Sequence, residues 1–121
     1  MFEDESTGNE NRGFVERPGV RVILSTAPEE AAVRLARRLV ESGLVACVNV
    51  LPKVSSIYRW EGKIEESNES LLVIKTTVES CANAVEILRR EHPYDCPEIL
   101  AFDAVGGLEA YLAWVSAGSV G

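Results

Sequence analysis

The chain has 121 residues, 46% apolar and 26% charged, and nineteen acids against twelve bases give a formal charge of -7. This length bounds the answer to one domain, with or without a tail. The acidic balance argues against a nucleic-acid partner, which would need a basic face. No apolar stretch reaches the roughly 18 residues of a membrane span, and Met1-Phe2-Glu3-Asp4-Glu5-Ser6 lacks the basic start and apolar run of a secretory signal.

The three cysteines, Cys47, Cys81 and Cys96, are odd in number and lack CxxC spacing. They fit neither a disulfide framework nor a zinc finger, so a reducing, cytoplasmic setting is expected. Residues 1–18 hold Glu3, Asp4, Glu5, Glu10 and Glu16 among few apolar groups. Such a stretch buries too little surface to offset its ordering entropy, and it reads as a dispensable disordered acidic tail before a domain over 19–121.

Val20 to Thr26 is apolar and β-branched and predicts a strand. Thr26-Ala27-Pro28-Glu29 has the form of a capping box, with Pro28 in the first turn. The helix that follows carries Ala32, Leu35, Ala36, Leu39 and Val40 as one apolar stripe, and Gly43 stops it. Leu44 to Leu51 is a second strand, continued from Val54 to Trp60 past Pro52, which should mark a bulge or an edge.

Glu61-Gly62 turns the chain, and Lys63 to Val78 returns through Leu71-Leu72-Val73-Ile74, apolar on both faces. A helix over about Ser80 to Glu91, a strand over Ile99 to Val105 and a short helix over Leu108 to Val115 complete the chain. Strand, helix, strand, strand, helix, strand is the split βαβ order of the ferredoxin-like α+β fold. Right-handed crossovers put both long helices on one face of its sheet. The central strands are apolar on the other face too, so self-association is the expected cover.

His92-Pro93-Tyr94-Asp95-Cys96-Pro97-Glu98 concentrates chemistry in one connector. Each proline biases its predecessor away from the helical region, so the helix should end at His92 and the side chains be held stiffly. His92, the one histidine, reads either as a ligand or as a helix-end group stabilising the last carbonyls. Glu98 could ligate a metal or accept a hydrogen bond from Tyr94. Lys75, in an apolar strand, is an anion anchor or an interface lysine with its ammonium in water. Tyr58 and Trp60 alternate with Arg59 and share a face, as pocket lining or interface packing. A Cys96–His92 nucleophile pair would need an oxyanion hole that no nearby glycine turn or helix start supplies, so no enzyme is expected.

Together, Ser25-Thr26-Ala27-Pro28, Ala46-Cys47-Val48-Asn49, Tyr58-Arg59-Trp60-Glu61-Gly62-Lys63, Ile74-Lys75-Thr76-Thr77, His92-Pro93-Tyr94 with Pro97-Glu98, and Tyr111-Leu112-Ala113-Trp114 resemble the CutA divalent-cation tolerance proteins over about residues 20 to 116. The resemblance implies a PII-like homotrimer of ferredoxin-like subunits in which hairpins pair between subunits, and a link to tolerance of copper and other divalent ions. In that family the copper set is a thiol ending the first strand and a histidine pair before Pro-Tyr. Here Ser25 and Glu91 stand in two of those places. A hydroxyl, a carboxylate and one imidazole make a weaker, harder site.

The resulting expectations are a weakly held divalent cation at His92, Glu91 and Glu98, and an inter-subunit cleft of Tyr58, Trp60, Lys75, Tyr94 and Cys96. Two alternatives stay open: a PII-like sensor of a small anion in that cleft, and a ligand-free trimeric scaffold.

Overall fold

The computed structural model describes residues 13–119. Its elements are β1 (Phe14–Glu16), β2 (Val20–Ala27), α1 (Glu29–Glu41), β3 (Val45–Trp60), β4 (Lys63–Thr77), α2 (Val78–Glu91), β5 (Ile99–Asp103), β6 (Gly106–Leu108) and α3 (Glu109–Ala117). The main sheet runs β3-β4-β2-β5, antiparallel throughout, and β1 pairs with β6 in a separate two-stranded ribbon. From β2 onward this is the βαββαβ order read from the sequence.

Strand alternation sorts the sheet into two faces. On one, Ile23 lies beside Ile74 and Ala101, and Ser25 beside Leu72 and Ile99. Ile23, Leu72, Ile74 and Ile99 meet Leu35 and Leu39 of α1 and Ala84 and Leu88 of α2 in the main core. On the other face, Val22 lies beside Lys75 and Phe102, and Leu24 beside Val73 and Leu100. Among the described residues α3 packs there, through Leu112 and Val115 against Val20 and Ala46. Phe102 and Leu100 stay about half exposed, at 49% and 53%.

Pro52 falls where the β3–β4 register slips between Leu51 and Val54, and Lys53 takes a φ of 62°. The expected bulge is therefore present, on an edge strand where the missing donor costs no ladder bond. Glu61 and Gly62 both have positive φ, as a two-residue hairpin turn requires. Beyond the bulge, the distal half of the hairpin pairs only with itself and holds Ile57, Trp60 and Ile64 well exposed.

Two expectations are corrected. Glu29 begins α1 after Pro28, so no Thr26 capping box forms; the Pro28 carbonyl accepts from the N–H of Ala31 and Ala32 instead. Residues 14–16, read as tail, are strand β1, with Phe14 opposite Leu108 and Glu16 opposite Gly106. Backbone pairing supplied what composition did not, and Val15 joins the cluster under α3. The remainder of the tail reading, residues 1–12, lies outside the described residues.

Candidate functional site

The His-Pro-Tyr connector leaves α2 at His92, whose backbone turns extended (φ -73°, ψ 140°) as the following proline demands. His92 is only 7% exposed. Its Nε2 lies 2.8 Å from the carbonyl oxygen of Thr26, and the Tyr94 N–H donates to its Nδ1 at 3.1 Å. A carbonyl only accepts and an amide N–H only donates, so Nε2 carries the proton and both ring nitrogens are engaged. The ring thus bridges the end of β2 to the connector, and does not hold the last carbonyls of α2.

Tyr94 sits against this imidazole, with ring centroids 4.8 Å apart, and its hydroxyl donates to Glu69 Oε2 at 2.9 Å. Burial, then the Glu69 carboxylate, push the phenol up to about 12. Tyr58 and Glu30 add smaller effects in the same direction. Glu69, 6% exposed, is the member of this cluster that sequence reasoning missed. It lies just before the apolar run of β4 and carries no local signal.

Ser25 is fully buried, and its hydroxyl donates to the carbonyl of Glu98 at 2.7 Å, tying β2 to the start of β5. Glu98 itself is exposed. Glu91 turns to the helix side, where Arg38 Nε holds its carboxylate at 2.9 Å. The residues expected to hold a metal therefore point apart: His92 is saturated by backbone, Glu91 is paired with arginine, and Glu98 faces out. No group of three His, Cys, Asp or Glu among the described residues is placed to hold an ion. Within one chain these residues do not fit a divalent cation.

The cleft set also divides. Tyr94 lies by its bond to Glu69 near the Thr26 end of the sheet, and Cys96 is exposed on the same connector, whereas Tyr58 stands on the hairpin arm opposite Glu65. Trp60 lies farther out, at the hairpin turn. Lys75 is paired in register with Val22, four strand positions from the Leu71–Thr26 pair, or roughly 13 Å along the strand. Its ammonium donates to Asn49 Oδ1 and lies 3.8 Å from Cys47 Sγ. Burial, and then Cys47, push the Tyr111 phenol above its ordinary range. The ring nitrogens of His92 serve Thr26 and Tyr94 and not Cys96, so no nucleophile–base pair is assembled.

A ferredoxin-like subunit with one apolar sheet face left open, an overreaching hairpin and a His-Pro-Tyr connector locked across the sheet end defines a recognisable class. Residues 21–118 match the family model of the CutA1 divalent ion tolerance protein, and the chain belongs to that family. It is 44% identical over 97 residues to the divalent-cation tolerance protein CutA of Pectobacterium atrosepticum, covering 79% of this chain and 88% of the relative. The solved divalent cation tolerance protein from Thermus thermophilus is 42% identical with a TM-score of 0.80, covering 83% of this chain and 98% of that one. The PII-like protein CutA from Nostoc sp. PCC 7120 is 31% identical with a TM-score of 0.77, covering 82% of this chain and 96% of that one.

Proposed function

We propose that this divalent-ion tolerance protein works as a homotrimer, with the open sheet face and the distal hairpin buried between subunits. The observation that carries this is the set of large apolar side chains left uncovered: Leu51, Leu100 and Phe102 on the open sheet face, and Ile57, Trp60 and Ile64 on the two faces of the arm, each 45–65% exposed. Fully burying one such side chain is worth about 1.5–3 kcal/mol, and a patch of this kind marks an interface.

A divalent ion, copper(II) included, is on this reading held weakly and where subunits meet, since the described residues of one chain assemble no ligand set. The PII-like likeness supports a second use of the same junctions, as a cleft for a small anion, with Lys75 supplying the charge. Three free cysteines favour a reducing compartment. Native mass spectrometry of protein purified without chelator, before and after adding copper(II), tests the assembly and ion readings together. The expected result is a three-subunit mass, with copper adding to that species alone. Copper on a folded single chain would overturn the reading.

A further inference from the structure

We propose that α3 and β1 form a cover over the Cys47 end of the open sheet face, opening as a unit separate from the main core, with residues 13–17 as its strap. The cover is attached by a small apolar cluster, in which Val20, Leu112 and Val115 are buried with Val15, Ala46 and Trp114 around them, and by one buried bond from the Ser80 hydroxyl of α2 to the Ser119 carbonyl. Nothing in this cluster belongs to the core between the sheet and the two long helices. Elements held by few buried apolar groups open at lower free energy than the core they rest on.

The strap does specific work at the start of α3. Leu108, at the N-cap, offers no side-chain cap. The Gly13 carbonyl accepts the Glu109 N–H at 3.3 Å instead, and Arg17 holds the Glu109 carboxylate at 3.1 Å. One of the free donors that every helix start presents is thus satisfied by the strap. The Arg17 N–H also donates to the Val105 carbonyl at 3.0 Å, so the ribbon is anchored beyond its three ladder pairs.

Glycine is required at 106, because a Cβ there would lie 2.1 Å from the Val15 carbonyl oxygen. The family match begins at residue 21, after the strap, and includes α3. Opening the cover frees Ala46, which Gly118 approaches, and the Cys47 thiol, which Tyr111 hydrogen-bonds.

Cysteine alkylation reports this, because Cys47 is half-buried beside the cover, Cys96 is exposed and Cys81 is buried in the main core. The full chain is treated with iodoacetamide, and each thiol is followed by peptide mass spectrometry. Gly106→Val, which cannot close the ribbon, should raise the Cys47 rate about tenfold or more over wild type and leave Cys81 unchanged, as local opening requires. An unchanged Cys47 rate would overturn the proposal, and so would Cys81 accelerating together with Cys47. Should that variant fail to fold, Val15→Ala is read by hydrogen exchange. Faster exchange confined to residues 109–117 supports the cover, and uniform or absent change refutes it.

Discussion

The two faces of the main sheet are built by the same strands, yet they are finished differently. Toward the helices, Ile23, Leu72 and Ile74 are at most 1% exposed, and Ser25 spends its hydroxyl on the Glu98 carbonyl. One residue along, Leu24, Val73 and Leu71 remain partly exposed, and Leu100 and Phe102 stand half in water. Strand periodicity gives both faces the same geometry, so the difference lies in what the rest of the chain provides. Two long helices fill one side, and a nine-residue helix covers one end of the other. The first face holds the chain's own core, and the second is the face proposed to join copies of the chain.

Substitutions that treat the faces separately should separate these roles. Leu72→Ala, in the closed core, should cost about 2–5 kcal/mol in denaturant unfolding at fixed protein concentration, as a core cavity does. Phe102→Lys should act chiefly on subunit association, making the melting temperature depend more steeply on protein concentration. His92→Ala leaves the Thr26 carbonyl and the Tyr94 N–H without their partner, a loss of about 1–3 kcal/mol by the same unfolding measurement.

Tyr94→Phe should cost less, and its signature is in pH. The phenol is raised from 10.0 to about 12 in the fold, so its neutral form is the one the fold favours. Its contribution is present below pH 10 and is lost as pH climbs toward 12. Wild type should therefore lose melting temperature across that window more steeply than Tyr94→Phe. Parallel pH profiles would remove the Glu69 contact from the stability of the connector.

Most of the frame was legible because it rests on local signals. Period-two and helical stripes gave the element order, Pro52 gave the bulge, and Glu61-Gly62 gave the turn. What escaped depends on partners distant in sequence. β1 is three residues long, and its partner strand begins with two glycines that read as loop. The Tyr94–Glu69 bond joins residues 25 apart, across two elements whose packing no window of sequence contains. His92 was legible as a constrained residue, but its two backbone partners become visible only when β2 and the connector are set side by side. The metal reading leaned on residue types close in sequence, and the fold turns Glu91 toward Arg38 on the helix side.

Sedimentation equilibrium at micromolar concentration tests the central claim, that the open face is completed by other copies of the chain, most directly. Wild type should sediment at three subunit masses, and Phe102→Lys should shift toward smaller species under the same conditions. A wild-type chain that sediments as a single subunit while its circular dichroism and cooperative melting show it folded would contradict the claim.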